Sequence, residues 1–307
     1  MKSVNYKVAR IYRNSEFGYY AVRPIYKIYE FVLKHISDEY IIKRRFRKKM
    51  GYDLDLKNPK TLNEKINWLK LYDRKDLHTT VADKFKVRSY IENTIGAEYL
   101  IPLIFQTKDP KDIKPDNLPN TSFIIKTNHD SSGGIIVKDK KSINWPQARK
   151  RFSRLLKENY FYSSREWQYK NIEPRIIVEK LLTYDDGSIP SDYKFHCFNG
   201  ELAFIQVDID RHIEHKRNLY DPNWNFIPCV WKYKNGKKEE KPESFEKMRN
   251  LAETIAKDFI YVRVDFYSVN NLIYFGELTF HSESGHGKFT PSEYDLKFGN
   301  SLNIEKK

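Results

Sequence analysis

Two segments constrain this chain more than any other feature: DYKFHCFNGELAFIQVDID (residues 192–210) and YVRVDFYSVNNLIYFGELTF (residues 261–280). Each alternates bulky apolar and polar side chains, and each is split near its middle by a turn dipeptide, Asn199-Gly200 in one and Asn270-Asn271 in the other. Period-two alternation gives a strand one apolar and one polar face, and asparagine or glycine at the centre accepts the positive φ that a tight hairpin turn demands. Both segments are therefore expected as antiparallel hairpins. The chain as a whole is expected to be α+β, with helices first and a hairpin-rich body after them.

Helical signals surround these hairpins. In NPKTLNEKINWLKLYD, Thr61 and Glu64 form a capping box, and Leu62, Ile66 and Leu69 follow at helical spacing. VADKFKVRSYIENTIG reads as a second helix, opened near Asp83 and closed by Gly96. Residues 145–160 read as a third, with Pro146 in its first turn, and SFEKMRNLAETIAKDF as a fourth. Short apolar runs predict strands at 123–126, 134–137 and 175–182, after a Pro/Asp/Lys loop at 110–119 that marks a candidate lobe boundary. At 307 residues the chain is long enough for two or more lobes. Two cysteines, Cys197 and Cys229, are too few for a disulfide framework or a zinc cage, so free thiols in a reducing compartment are expected. No apolar run is long enough to span a bilayer or to serve as a secretory signal.

Charge is concentrated at the N-terminus. Residues 1–50 hold 13 Lys and Arg against four acids, which is +9 of the chain's net +14. YKIYEFVLKHISDEYIIKRRFRKKM interleaves these cations with aromatics and aliphatics and predicts one or two amphipathic helices. That pattern suits an anionic membrane surface as well as it suits a solvated helical cap on the body. It suits nucleic acid less, because no base-reading motif accompanies the charge.

Three features point to chemistry. The first is FIIKTNHDSSGG, a buried strand that ends in Lys126 and runs into Ser131, Ser132, Gly133 and Gly134. Serine and backbone N–H groups donate to phosphate oxygens, glycine lets the backbone approach, and lysine neutralises charge; a plain hairpin turn is the competing reading. It is not a Walker A loop, where the lysine follows the glycines. Second, Asp265 in RVDFY and Glu277 in FGELTF are acids set among apolar strand residues on paired strands. Two carboxylates aimed at one spot near phosphates suit Mg²⁺, whereas one alone would more simply pair with a cation such as Arg263. Without metal the two like charges are expected to repel and raise at least one pKa. Third, the strand RIIVEKLLTYDDG ends in Glu179-Lys180-Leu181-Leu182, where backbone groups offer a hinge for a purine.

In order, the pieces resemble the ATP-grasp superfamily, and the whole resembles its TupA-like branch from bacterial surface-polysaccharide loci. The resemblance rests on KTLNEKINWLKLYDR, ADKFKVRSYI, FIIKTNHDSSGG, IVEKLL, DYKFHCFNG, RNLYDPNW, RVDFY and GELTFHSESG, and covers about residues 51–300. It implies two α+β lobes with ATP between them, preceded by a helical region. The implied division is a basic extension at 1–50, a mainly helical region at 51–120, lobe 1 at 121–183 and lobe 2, with the metal hairpin, at 184–307. It further implies that Lys84 and Lys126 bind phosphates and that Ser131–Gly134 is a phosphate lid. Glu179, Lys180 and Leu182 match the adenine hinge. Asp192 matches a ribose-contacting acid, with Lys194 beside it, and Asp265 and Glu277 match Mg²⁺ ligands. The family usually has Glu-x-Asn at the last site; here Thr279 stands in the asparagine's place.

The implied reaction joins a carboxylate to an amine. The carboxylate attacks the γ-phosphate of ATP, and the amine displaces phosphate from the acyl phosphate, so the protein supplies positioning and charge rather than a covalent nucleophile. The sequence holds no convincing Ser-His-Asp or Cys-His set, in keeping with that. Among polar residues able to hold the carboxylate (Arg211, His215, Arg217, His281, Ser282, Ser284, His286), Arg217 is the strongest candidate because guanidinium forks match carboxylates. Two other classes compete: a glycosyltransferase, for which Asp185-Asp186 is the only metal-motif mimic, and a basic membrane-surface adaptor with a degenerate nucleotide site.

Overall fold

The structure is a computed structural model that describes residues 16–131, 133–209 and 214–305. Five helices come first: α1 (Glu16–Lys34), α2 (Asp38–Met50), α3 (Leu62–Tyr72), α4 (Asp76–Ala82) and α5 (Val87–Thr94). The capping box at α3 is present with both of its hydrogen bonds. The predicted second helix is shorter than expected. Val81 and Ala82 end α4, Asp83 Oδ1 accepts from the Phe85 and Lys86 amides, and α5 begins only at Val87.

A four-stranded antiparallel sheet follows, in the order β1 (Leu103–Thr107), β4 (Ile176–Lys180), β2 (Phe123–Thr127), β3 (Gly134–Val137). β1 was not foreseen. It precedes the loop at 110–119 and pairs with β4, so that loop connects two strands of one sheet. The predicted helix at 145–160 divides into α6 (Trp145–Leu155) and α7 (Tyr160–Ser164), the latter closed by Arg165 at φ 62°. Phe123, Ile125, Val137, Ile176 and Val178 form one face of the sheet, packed with Trp145 and Phe152 of α6. Period two therefore sends Lys126 and Glu179 to the opposite face.

The second sheet has six strands in the order β11-β10-β5-β6-β7-β8, every neighbour antiparallel. These are β5 (Asp192–Phe198), β6 (Glu201–Ile209), β7 (Lys216–Tyr220), β8 (Phe226–Ile227), β10 (Tyr261–Val269) and β11 (Leu272–Thr279). Both expected hairpins form: Asn199 and Gly200 have φ of 52° and 93°, Asn270 and Asn271 of 49° and 62°. A short ribbon pairs β9 (Val230–Trp231) with β12 (Phe289–Thr290), and α8 (Phe245–Ala256) and α9 (Glu293–Ser301) complete the chain.

The two faces of this sheet differ. One is apolar: Phe195, Cys197, Ile205, Val207, Val262, Val264 and Phe266 pack against Met248, Ala252 and Ile255 of α8. The other is apolar only where Phe198, Phe204, Leu219 and Tyr261 meet α3 and α9. Along the rest of that face the alternate positions are Lys194, His196, Gln206, Asp208, Arg217, Arg263 and Asp265. Glu277 joins this row through a bulge. Asp265 pairs with Glu277 but Phe266 pairs with Phe275, so Gly276 is the extra residue. A Cβ on Gly276 would lie 3.1 Å from both the Asp265 carbonyl oxygen and Tyr267 Cε2, which accounts for glycine there. Both cysteines are buried free thiols.

Candidate active site

The polar face of the large sheet and the Lys126 face of the small one meet at Glu277. Burial pushes the Glu277 carboxyl up, yet Lys84, Arg263, Lys194 and Lys126 together overcome that and hold it at about 2. Three of those cations come from different elements of the second sheet and the helical region; Lys126 comes from the first sheet. The repulsion expected between the two acids therefore does not set the titration of Glu277, because cations outnumber them. Arg263 is the closest. Its Nε and Nη2 donate to Asp265 Oδ1 and Oδ2, both at 2.7 Å, and Nη2 also donates to Glu277 Oε1 at 3.0 Å. Lys194 Nζ stands 3.3 Å from Asp265 Oδ2, and Lys84 Nζ 3.9 Å from Glu277 Oε2.

The two acids are not equivalent. The Asp265 side chain is 4 % exposed and lies behind Arg263, while that of Glu277 is 41 % exposed and opens to solvent. The Thr279 hydroxyl is 3.5 Å from Glu277 Oε1. Among the described residues no group of three or more His, Cys, Asp or Glu side chains forms a metal cage. Glu277, open to the cleft, fits Mg²⁺, which takes one or two carboxylates and completes its shell with water and substrate phosphates, whereas both oxygens of Asp265 are already held by Arg263 and would have to give up one of those bonds to join it.

The side expected to meet phosphate is built from the helical region and the first sheet. Lys84 Nζ donates to the Asp130 carbonyl at 2.6 Å, and the Lys84 amide to the Asn128 carbonyl at 3.1 Å, so this lysine holds the base of the Ser/Gly loop. Gly133 has φ +76° with open space around it. The Ser131 hydroxyl engages Tyr169. Ser132 lies outside the described residues. Gly134 pairs with Lys126 at the start of β3. Lys126 Nζ sits 2.6 Å from Glu179 Oε2, and Arg88 Nη1 is 3.7 Å from the other oxygen. Beyond them the Lys180 amide donates to the Pro102 carbonyl at 3.0 Å and the Leu181 amide to the Ser122 carbonyl at 3.3 Å, and β4 ends at Lys180. Lys84, Tyr169, Gly276 and Glu277 line one pocket together with Val81, Val87 and Leu278.

On the other flank, Asp192 ion-pairs with Lys194, and Lys194 is 3.9 Å from Asp208. Arg217 is buried. Its Nε donates to Asp208 Oδ1 at 2.7 Å, its Nη1 to Glu283 Oε1 at 2.8 Å, and its guanidinium lies over the rings of Trp231 and Tyr233. His215 Nε2 is 3.2 Å from Asp208. Arg211 lies outside the described residues. Ser284 donates to Glu166 at 2.9 Å and accepts from the buried Lys70 at 2.8 Å. Glu283, Ser284 and Gly285 all have φ near +50 to +66°, a left-handed turn held on one side by Arg217 and on the other by Lys70.

The structure thus brings Lys84, Lys126, Lys194, Asp265 and Glu277 together, with Asp192 and Arg217 one pair further out. Sequence reasoning missed Asp208, Glu283, Arg88, Tyr169, Lys70 and Glu166. Asp208 carried the same signal as Asp265, an acid among apolar strand residues in QVDID. Lys70 and Glu166 gave none, since a lysine in an amphipathic helix reads as solvated.

The family described as TupA-like ATPgrasp matches residues 64–303. No curated protein matches the chain. Among solved structures, the D-alanine–D-alanine ligase of Bacillus anthracis is 17% identical over 65% of this chain and 57% of its own, with TM-score 0.39. The Helicobacter pylori D-alanine–D-alanine ligase is 13% identical over 79% and 65%, with TM-score 0.42. The ATP-grasp ligase PsnB, complexed with minimal precursor, Mg and ADP, is 10% identical over 80% and 67%, with TM-score 0.43. The chain spans 53 to 57% of the length of the first three structures it matches.

Proposed function

The chain belongs to the TupA-like ATP-grasp family, and from that premise we propose that it is an ATP-dependent carboxylate–amine ligase acting through an acyl phosphate. The observation that carries this reading is the meeting of Lys84, Lys126, Lys194 and Arg263 at Glu277, from both sheets and the helical region. A cluster of cations around one exposed carboxylate is what a nucleotide's phosphates and their counter-ion require.

In this reading Lys84 and Lys126 bind the phosphates and hold them in line for attack, with amides of the Ser131–Gly134 loop closing over them. Glu179, Lys180 and Leu182 form the adenine edge of the cleft, and Asp192 with Lys194 its ribose edge. Glu277, with Asp265 once it releases one of its Arg263 bonds, would hold Mg²⁺, and the ion would supply charge neutralisation for the transferred phosphoryl group. Arg217 orients the carboxylate substrate or its acyl phosphate, for which it must exchange one of its two acid partners. The first sheet, at 121–183 with β1 added, and the second, within 184–307, are the two lobes. The reaction needs positioning and charge rather than a nucleophilic side chain.

The resemblance to the surface-polysaccharide branch supports substrates from capsule or cell-wall assembly, a sugar acid or amino acid and an amine, handled at the cytoplasmic face of the membrane. The test is ADP release measured with Mg²⁺, ATP and a panel of hexuronic acids and amino acids. Turnover that needs both a carboxylate and an amine is expected, along with a raised melting temperature with ATP·Mg²⁺ and none with UDP-sugars. Stabilisation by UDP-sugars alone, without ATP turnover, would overturn the ligase reading in favour of glycosyl transfer.

A further inference from the structure

The α1 helix is amphipathic in an unusual sense, because much of its apolar side is exposed. Its inner edge is docked: Leu33 and Glu30 are buried, the Leu33 carbonyl accepts from Arg165, and Lys34 lies 5.0 Å over the Tyr162 ring. Among the described residues the opposite side is largely exposed. Tyr20, Ile25, Ile28, Tyr29, Phe31 and Val32 are between 48% and 68% exposed. At about 100° per residue these six spread over roughly half the helix circumference. Soluble surfaces rarely leave so wide an apolar strip uncovered.

The charge beside this strip is predominantly positive, although Glu39 pairs with Lys43 and Asp53 with Arg47. Lys27 and Lys34 border it on α1, and Lys43, Arg44, Arg47, Lys48 and Lys49 are exposed on α2, one short turn away. Three acids of the two helices are committed: Glu30 is buried beside Lys27, Asp38 holds Arg74 and Arg165, and Glu39 holds Lys43. No described helix is long and apolar enough to cross a membrane.

We propose that α1 and α2 form a docking face for an anionic lipid bilayer, with the α1 apolar strip lying in the headgroup–acyl boundary and the α2 cations on lipid phosphates. Three observations favour this occupant. The strip is a convex single-helix face, suited to a deformable plane rather than to a groove. Its tyrosines, Tyr20 and Tyr29, are the amphipathic type that settles at such a boundary. A second copy would bring the same +9 segment against itself, and like charges across a two-fold interface repel. Nucleic acid would meet the cations but leave the apolar strip in water. The inference does not depend on the nucleotide site.

The test is flotation of the full-length protein with vesicles of pure phosphatidylcholine and of an equimolar phosphatidylcholine–phosphatidylglycerol mixture. Binding to the mixture alone, weakened by salt, is expected. Ile25→Ser with Ile28→Ser and Phe31→Ser should weaken it by more than about tenfold, as should Lys43→Gln with Arg44→Gln and Lys48→Gln, at about a factor of five per cation. Ile28→Trp should strengthen it. All sites are exposed, so melting temperatures should stay put. No binding to the mixture, or binding that the apolar variants leave unchanged, overturns the proposal. So does a dimer in ultracentrifugation that the triple serine variant dissolves, which would assign the strip to a second copy. RNA binding stronger than vesicle binding and indifferent to the serine changes would assign the face to nucleic acid.

Discussion

Arg263 grips Asp265 through two parallel hydrogen bonds of 2.7 Å and reaches Glu277 with the same Nη2 at 3.0 Å. One guanidinium thus stands between two carboxylates that the bulge at Gly276 sets side by side. The pair Arg263–Asp265 is buried, and removing one partner of a buried pair leaves the other charge uncompensated.

Asp265→Asn should therefore destabilise the fold by about 3 kcal/mol, read by urea denaturation without metal or nucleotide. Glu277→Gln should change stability by less than about 1 kcal/mol, since that side chain is open to solvent. It should nevertheless lower ATP turnover by about a hundredfold or more, as loss of one preorganised electrostatic group commonly does. Equal stability loss in both variants, with turnover retained in Glu277→Gln, would make the two acids structural.

Gly276 acts on the same site through the backbone. Its Cβ would press the Asp265 carbonyl from 3.1 Å, so Gly276→Ala should cost about 1–3 kcal/mol. Turnover should fall as well, although residue 276 offers no side chain to any ligand, because Glu277 shifts when the bulge relaxes. A variant that melts earlier but turns over normally at low temperature would show that the bulge does not position the acid.

Lys126 is already engaged with Glu179 at 2.6 Å, and phosphates must compete for it. Lys126→Met should weaken ADP and ATP binding by about tenfold to a hundredfold, the range for a charge-assisted hydrogen bond. It should also lower stability, by less than loss of both partners would, because the buried Glu179 keeps Arg88 at 3.7 Å. Calorimetry on the variant decides the matter; an unchanged dissociation constant removes Lys126 from the phosphate site.

What could be read from the sequence was what local chemistry encodes. The Thr61–Glu64 box, the Asn199-Gly200 and Asn270-Asn271 turns and the strands at Phe123 and Gly134 depend on neighbours in the chain, and they stand where expected. β1 was invisible because LIFQT carries no alternation and its partner β4 lies some seventy residues on. α4 gave no signal because it is seven residues long and has no side-chain cap, and the helix expected to open near Asp83 begins only at Val87 because Asp83 Oδ1 takes the Phe85 and Lys86 amides. Side-chain pairing was hidden for a similar reason. That Arg263 would bridge two acids, that Asp208 would hold Arg217, or that Lys70 would be buried against Ser284 depends on which strands and loops meet. Local pattern does not determine that.

Lys70 gives the last prediction. Burial lowers its ammonium to about 8, although Glu166 nearby opposes the shift. A base whose folded pKa lies below its ordinary value near 10.5 binds fewer protons folded than unfolded between the two. Stability is thus penalised below about 8, and the penalty lifts as pH rises through that value. The buried thiols work the other way. Burial raises Cys197, and raises Cys229 to about 12, so both cost stability once pH passes the ordinary thiol value of 9.0. The gain from Lys70 is clearest just above pH 8. Urea midpoints measured across that interval should rise for the natural protein relative to Lys70→Met, where the titrating group is gone. Parallel curves for the two proteins would mean that Lys70 keeps its proton in the fold, held by Glu166 and the Ser284 carbonyl as a permanent buried ion pair.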